Sequence, residues 1–174
     1  MQFVTFRLGD ALPISKVRNW QEERRIWMAR NPKPWSAEVE KGYHRRFTKR
    51  LEEWMDAGVG SCIFKDARNR EILQEVFLRD HGERAIFEAW VIMPNHVHAL
   101  FLPKVPTETL LKTWKGVSAR RFGIGKIWQK NYRDTLIRDS EHFANVVKYI
   151  RRNPLKLDDG HFTLWESERA QSVR

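Results

Sequence analysis

A hairpin pattern near the middle of the chain constrains the fold more than any other feature of the sequence. Residues 85–93 are rich in β-branched and aromatic side chains, residues 94–95 are the turn-forming pair Pro-Asn, and residues 96–102 alternate again. Pro103 and Pro106 then end the second segment. The pattern predicts two antiparallel strands joined by a tight turn.

Other strands and helices are predicted on both sides of this hairpin. Alternating side chains predict strands over residues 3–8 and 132–137. Apolar spacing predicts helices over residues 15–30, 36–58, 70–78, 107–122 and 140–153, with Ser15, Ser36 and Ser140 as N-caps. This mixture predicts an α+β fold, an antiparallel sheet with helices packed on it. We expect a single domain over residues 1–157 and a short polar tail over residues 158–174.

The charge balance indicates a polyanionic partner. The chain has 32 Lys and Arg against 22 Asp and Glu, a formal net charge of +10, and its eight tryptophans offer flat surfaces for unpaired bases. A hydrophobic content of 41% argues against intrinsic disorder. The single cysteine, Cys62, excludes an intramolecular disulfide and a cysteine-based zinc site. No apolar run is long enough to span a bilayer and no signal peptide is predicted, so we expect a cytoplasmic protein without a membrane partner.

Two histidines two residues apart begin the second strand of the predicted hairpin. His96 and His98 lie on the same face of that strand, about 7 Å apart along the chain at ~3.3 Å per residue. Two imidazoles placed in this way can bind one cation. Taken alone, the pair is equally compatible with two histidines that are hydrogen-bonded within the structure.

The last predicted helix offers a further polar pair. Its apolar stripe places Tyr149 and Asn153 one turn apart at the margin between core and solvent. Tyrosine is common at such margins, and asparagine is common at a helix end that precedes a proline such as Pro154. A structural role and a functional role for this pair therefore both stay open at this point.

Four segments in order give the chain a resemblance to a known family. They are Phe3–Leu8, Trp90–His98 (WVIMPNHVH), Trp128–Gln129 and Tyr149–Pro154 (YIRRNP). This ordered set resembles the REP-associated tyrosine transposases, which are relatives of the single-tyrosine HUH transposases, over about residues 3–157. The resemblance implies a ferredoxin-like HUH domain.

The resemblance also implies a reaction and its residues. His96 and His98 become the metal-binding pair, Asn153 the third, amide-type ligand, and Tyr149 the nucleophile. A tyrosine hydroxyl, whose ordinary pKa is near 10, is a poor nucleophile at neutral pH, and a cation can orient and polarise the scissile phosphate. Mixed imidazole and amide ligands with open positions favour Mg²⁺ or Mn²⁺. Tetrahedral zinc stays an alternative, which the missing thiolates and third histidine disfavour.

The implied substrate is a hairpin-forming repetitive DNA, similar to a repetitive extragenic palindrome, with a short single-stranded flank. The residues that we predict to contact this DNA are Lys112, Lys115, Arg120, Arg121, Trp128, Gln129, Arg151 and Arg152. Two structural alternatives remain for members of this set. Arg151 and Arg152 also suit the C-terminus of a helix, and Trp128 also suits a core.

The function that we predict is a metal-dependent endonuclease and strand transferase that acts on single-stranded DNA through a 5′-phosphotyrosine intermediate. The alternative is a non-catalytic nucleic-acid-binding or regulatory module that descends from a transposase. A metal-dependent hydrolase of other substrates would account for the histidines but not for the charge of +10. We expect a monomer rather than a dimer.

Overall fold

The computed structural model describes residues 1–12 and 14–174, and the backbone alone of Ile14. Five strands form one antiparallel sheet in the order β4-β1-β3-β2-β5. They are Gln2–Arg7 (β1), Ala85–Ile92 (β2), His96–Pro103 (β3), Arg133–Leu136 (β4) and Thr163–Glu166 (β5). The predicted α+β fold with an antiparallel sheet is confirmed. Without β5 the strand order 4-1-3-2 is that of a ferredoxin-like sheet.

Seven α-helices accompany the sheet in the part of the chain that the structure describes. They are Ile14–Arg30 (α1), Ala37–Tyr43 (α2), Lys49–Asp56 (α3), Ala67–Asp80 (α4), Thr107–Phe122 (α5), Ser140–Arg152 (α6) and Glu168–Gln171 (α7). A π-helical turn at His44–Thr48 divides the helix predicted over residues 36–58. Ser36 caps α2 as predicted. Ser15 and Ser140 instead lie inside α1 and α6, and Asp139 caps α6 because its carboxylate accepts a hydrogen bond from the backbone N–H of His142.

Two compact units make up the chain, where the sequence predicts a single domain over residues 1–157. One unit contains residues 1–9 and 62–174, and the other contains residues 10–61. The second unit consists of α1, α2 and α3, and its small core is aromatic. Phe47 is fully buried there, and its ring packs against those of Trp20, Trp27 and Tyr43. The sheet and all the predicted site residues belong to the first unit.

One face of the sheet packs against α4 and α5. The ring of Phe6 in β1 meets Phe77 of α4 edge-on, and Phe101 of β3 meets Trp114 of α5 in the same way. All four side chains are at most 1% exposed. This face therefore carries a large aromatic core and leaves the opposite face for other elements.

The opposite face packs against α6. Its core contains Ala89 and Val91 of β2 and Leu100 of β3, and α6 contributes the apolar stripe predicted from the sequence. That stripe consists of Phe143, Val146, Val147 and Ile150. Because side chains alternate along a strand, the same face also carries His96 and His98 at the start of β3.

Residues 158–174, which the sequence predicts as a short polar tail, include β5 and α7. β5 pairs with β2, and the indole rings of Trp165 and Trp90 stack with their centroids 4.2 Å apart. A bulge in β2 turns out Glu88, whose carboxylate accepts hydrogen bonds from Ser167 and Arg169. Pairing with β5 covers an edge of β2 that would otherwise be exposed, which explains why a segment of polar composition is ordered here.

No helix within residues 1–12 and 14–174 is both long enough and apolar enough to cross a membrane.

Candidate metal and nucleophile site

The turn of the β2–β3 hairpin fixes the position of the two histidines. The N–H of Met93 donates to the carbonyl of His96 at 2.9 Å and closes the turn. The carbonyl of Asn95 accepts from the N–H of Leu8, and that of Pro94 accepts from Phe64. Asn95 is 1% exposed. The turn is therefore held from the end of β1 and from the 3₁₀ turn before α4, and it is not a mobile loop.

His96 and His98 face each other on this sheet. Their Nε2 atoms are 3.1 Å apart and both side chains are 1% exposed. The Nδ1 of His96 lies 2.8 Å from Oδ1 of Asn95, and the Nδ1 of His98 lies 2.8 Å from Oγ1 of Thr5. Every ring nitrogen of the pair therefore has a defined partner.

These partners determine which nitrogens carry protons. The amide oxygen of Asn95 can only accept, so Nδ1 of His96 carries a proton, and in the neutral ring Nε2 is the nitrogen with the lone pair. The hydroxyl of Thr5 can either donate to or accept from His98. When it donates, the Nε2–H of His98 donates to His96. When it accepts from Nδ1–H, both Nε2 atoms present lone pairs to the same point.

The environment keeps His98 neutral. Burial lowers the pKa of His98 well below its usual range, and the charges of His96 and Arg133 lower it further. Neutral imidazole is the form that binds a metal ion.

Tyr149 lies against the histidine pair, and its role as the nucleophile stays a prediction. Its ring meets that of His98 edge-on at a centroid distance of 5.2 Å, and it meets Phe3 in the same way at 5.8 Å. Phe3 stacks on His98 at 5.6 Å. Because α6 packs its apolar stripe on this face of the sheet, the half-buried Tyr149 at the margin of that stripe reaches the histidines.

Asn153 ends α6 one turn after Tyr149. Its backbone N–H donates to the carbonyl of Tyr149, so the helix end is capped through the backbone. Within the described residues, the buried Oδ1 of Asn153 has no hydrogen-bond partner, although the residue is 8% exposed. A buried acceptor without a partner is unusual and is explained when an ion or water binds it. The metal-ligand role of Asn153 stays a prediction.

The residues present fit a cation with open coordination positions. Across residues 1–12 and 14–174, no group of three or more His, Cys, Asp or Glu side chains could hold a metal ion, so a third protein ligand must be of another type. The 3.1 Å between the two Nε2 atoms matches adjacent ligands of an octahedral ion, since ligands at ~2.1 Å and 90° are about 3 Å apart. His96, His98 and the orphaned oxygen of Asn153 are thus the candidate ligands.

A cavity of about 640 Å³ lies between α5 and residues 125–132. Its lining contains Lys112, Trp128 and Gln129, which the sequence predicts as DNA contacts, and also Lys126, Lys130 and Tyr132, which are outside the predicted set. Lys112 is exposed, in agreement with a surface role. The indole N–H of Trp128 donates to Ser118, and its ring packs on Phe6, so one side of Trp128 is part of the core.

Lys115, which the sequence predicts as a DNA contact, is half-buried and lines the same cavity. Its ammonium donates to the carbonyls of Gln129, Lys130 and Asn131 and fastens the loop that precedes β4. Burial, and then the charge of Arg7, lower the pKa of Lys115 to about 8. The structure therefore gives Lys115 an internal role.

The two arginines at the end of α6 differ in exposure. Arg151 donates to the carboxylate of Glu166 and to the carbonyls of Ala170 and Val173, which ties α6 to the C-terminal segment, whereas Arg152 is exposed. Arg120 and Arg121 of α5 are both exposed, and Arg121 forms an ion pair with Glu75 on α4. The predicted cations that the structure leaves at the surface are Lys112, Arg120, Arg121 and Arg152.

Thr5, Arg7, Asn95 and Arg133 surround the pair but are absent from the set predicted from the sequence. The alternation of residues 3–8 places Thr5 and Arg7 on one face of β1. The alternation does not show which strand lies beside β1. The register of β1 against β3 brings these residues to the histidines.

Comparisons with known proteins agree with the motifs. No family model matches the chain. It is 27% identical to the REP-associated tyrosine transposase of Escherichia coli (strain K12), over 49% of this chain and 54% of the relative. It is 29% identical to an uncharacterized protein of Haemophilus influenzae, over 47% of this chain and 56% of that protein. The chain thus spans about half the length of these curated relatives.

Among solved structures, that of a REP-associated tyrosine transposase bound to a REP hairpin covers 89% of this chain and 66% of its own, with 18% identity and a TM-score of 0.47. The match to the Escherichia coli protein confirms the resemblance that the sequence motifs predict, a resemblance to the REP-associated tyrosine transposases.

Proposed function

We propose that this chain is a metal-dependent endonuclease and strand transferase that cleaves hairpin-associated single-stranded DNA through Tyr149. The observation that carries the proposal is the packing of Tyr149 against His98, whose Nε2 lies 3.1 Å from that of His96. A hydroxyl nucleophile and two convergent imidazoles on one face of the sheet are the parts that this chemistry needs.

In the proposed reaction, the hydroxyl oxygen of Tyr149 attacks the phosphorus of the scissile phosphodiester. The bond from phosphorus to the 3′ oxygen breaks as the bond to the tyrosine oxygen forms. The hydroxyl proton passes to solvent, and the 3′ oxygen takes up a proton from solvent. The products are a 5′-phosphotyrosine and a free 3′-hydroxyl. Because the new bond is also a phosphodiester, attack by a 3′-hydroxyl reverses the step without ATP.

The chain's own residues prepare this step. Asn95 and Thr5 orient the two imidazoles, and Phe3 shields the face of His98. His96, His98 and Oδ1 of Asn153 would hold Mg²⁺ or Mn²⁺. When bound, such an ion polarises the scissile phosphate and offsets the charge that grows during attack.

DNA binding is supported by charge and by the cavity beside α5. The net charge of +10 favours a polyanion, and Lys112, Lys126 and Lys130 line a recess that also exposes part of an aromatic wall. The name of the Escherichia coli relative and the REP hairpin bound in the solved structure suggest hairpin DNA with an unpaired flank as the substrate. We assign the flank to this recess because basic side chains and an aromatic ring suit an unpaired strand.

A non-catalytic DNA-binding module is the alternative, and one experiment separates the two. The protein is incubated with a labelled hairpin oligonucleotide and Mn²⁺ and is then run on a denaturing gel. We expect a covalent protein–DNA adduct with the wild type and none with Tyr149→Phe, which keeps the ring but lacks the nucleophilic oxygen. Tyr132→Phe is the matched control and is expected to form the adduct.

Further variants complete the test. His96→Ala and His98→Ala are expected to bind the hairpin but to form no adduct at limiting Mn²⁺. Hairpin binding by the wild type without an adduct at any Mn²⁺ concentration would favour the non-catalytic module. An adduct with Tyr149→Phe at the wild-type rate would assign the nucleophile to another residue.

A further inference from the structure

Two arginines share the face of the sheet that carries the histidine pair. Arg7 of β1 is the cross-strand partner of His96, and Thr5 is the partner of both His98 on one side and Arg133 of β4 on the other. Directly paired residues of antiparallel strands lie on the same face, about 5 Å apart. Arg7 is thus adjacent to His96, and Arg133 is one strand further from His98.

The cross-strand neighbours on the other side of the histidines are apolar. On the β2 side, His98 is paired with Val91, and Met93 follows at the end of that strand. Both of these side chains are buried in the core beneath α6. The histidine pair therefore marks a boundary between an apolar half of this face, along β2, and a cationic half, along β1 and β4.

Arg7 lacks a protein partner for its charge. Within the described residues, its half-buried guanidinium has no ion pair and no hydrogen bond, while its backbone carbonyl accepts from Gln129. Burial lowers the pKa of Arg7, although not enough to remove its charge at neutral pH. A partly buried cation without a partner costs free energy, so an anion from outside the chain would stabilise it.

Arg133 acts on the same point electrostatically. It is the cross-strand partner of Thr5, whose hydroxyl is hydrogen-bonded to His98, and its charge contributes to the lowered pKa of His98. The two arginines approach the histidines from β1 and from β4, and Tyr149 approaches from α6. This face of the sheet thus carries a tyrosine, two imidazoles and two arginines on neighbouring strands and α6.

We propose that Arg7 and Arg133 bind the non-bridging oxygens of the scissile phosphate and hold it for attack by Tyr149. This inference rests on the proposed function and adds the residues that position its substrate. A guanidinium group donates two parallel hydrogen bonds to a phosphate, and such donors stabilise the charge that develops during phosphoryl transfer. Lys115, the other cation near Arg7, cannot take this role because three backbone carbonyls occupy its ammonium.

The test measures binding without metal and cleavage with metal. Hairpin oligonucleotides carry a neutral methylphosphonate at one position of the unpaired flank at a time, and their affinities are measured in EDTA. We expect one position at which the wild type loses about tenfold or more in affinity. Arg7→Ala and Arg133→Ala should each reduce this discrimination, that is, the loss of affinity that the methylphosphonate causes at that position. The reason is that each variant lacks a charge that recognises the phosphate. Arg68→Ala is the matched control, since Arg68 is an exposed arginine on α4, which packs on the other face.

Single-turnover adduct formation with Mn²⁺ gives the second measurement. Removal of one such donor is expected to slow the step by about 100-fold at saturating DNA. Arg7→Lys keeps the charge but lacks the second hydrogen bond, and it should recover part of the rate and of the discrimination. This partial recovery also separates a contact with phosphate from a defect in folding.

The outcomes separate the two proposals. An absent adduct with the wild type, together with a discrimination that depends on Arg7, would overturn the proposed chemistry and keep the phosphate site. Wild-type rates and unchanged discrimination in both alanine variants would overturn the phosphate site and leave the proposed chemistry intact. If a methylphosphonate lowers the affinity of the wild type at no position of the flank, the phosphate site is overturned as well.

Discussion

The hydroxyl of Thr5 and the imidazole of His98 are joined by a 2.8 Å hydrogen bond across the centre of the sheet. This contact leaves the Nε2 of His98 directed at the Nε2 of His96. Under the proposed function, Thr5 would thereby determine whether the second imidazole can offer its lone pair to a metal ion without being a ligand itself. Partners of this kind orient metal-binding histidines in many proteins.

Thr5→Val is expected to weaken Mn²⁺ binding by about 10- to 100-fold, because valine has the shape of threonine but cannot hold the imidazole. Thr5→Ser keeps a hydroxyl and should restore most of the affinity. Isothermal titration with Mn²⁺ in the absence of DNA measures both variants. Equal affinities for the valine variant and the wild type would show that the hydrogen bond does not orient His98.

Asn153→Ala is expected to leave the thermal midpoint in EDTA unreduced, because the oxygen that it removes is buried without a partner. An unsatisfied buried acceptor costs about 1–3 kcal/mol, whereas the loss of a side-chain cap would destabilise by ~1 kcal/mol. The same variant should raise the Mn²⁺ concentration needed for half-maximal cleavage, and Asn153→Asp should keep an oxygen ligand. A lowered midpoint with an unshifted metal titration would assign Asn153 a structural role.

Arg151 and Arg152 are expected to differ although they are neighbours. Arg151→Ala removes hydrogen bonds to Glu166, Ala170 and Val173, and should lower the free energy of unfolding by about 1–3 kcal/mol. Arg152→Ala should change stability little. It should reduce the slope of log K against log salt for hairpin binding by the amount that about one phosphate contact contributes. Denaturant unfolding and binding at several salt concentrations measure the two effects. The reverse assignment of these effects would place the DNA contact at Arg151.

The lowered pKa of Lys115 predicts a specific dependence of stability on pH. Its pKa is about 8 in the folded protein and 10.5 as an ordinary value, so between these values the unfolded chain binds more protons. The contribution of Lys115 to the free energy of unfolding therefore rises with pH from about 8 to about 10.5. Lys115→Met should lack this rise, whereas Lys112→Met, at an exposed position, should keep it. Urea unfolding at pH 8, 9 and 10 makes the comparison, and parallel curves for wild type and Lys115→Met would contradict it.

The elements near the site could be predicted because local patterns determine them. The Pro94–Asn95 turn between two β-rich segments gives the hairpin, and the spacing of Val146, Val147 and Ile150 gives α6. Both signals come from residues close in sequence. The ordered set of motifs predicts the histidine pair and Tyr149 as site residues.

The other features of the site depend on contacts between segments that are distant in sequence, and hydrophobic periodicity does not predict such contacts. The neighbours of Thr5 and Arg7 follow from the register of β1 with β3 and β4. The guanidinium of Arg151 is hydrogen-bonded to Glu166 and Ala170 because β5 and α7 lie beside α6. The polar composition of that segment does not predict these two elements. The same is true of Lys115, because its three carbonyl partners belong to a loop without regular structure.

The hydrogen bond between Thr5 and His98 spans 93 positions of sequence, and Tyr149 lies a further 51 residues beyond His98. During synthesis, β1 leaves the ribosome long before its partner strand, and the helix with the nucleophile is made later still. Under the proposed function, a nascent chain is therefore chemically inert until α6 docks on the sheet. Cutting of DNA then begins with the completed fold, and truncated translation products carry no nicking activity.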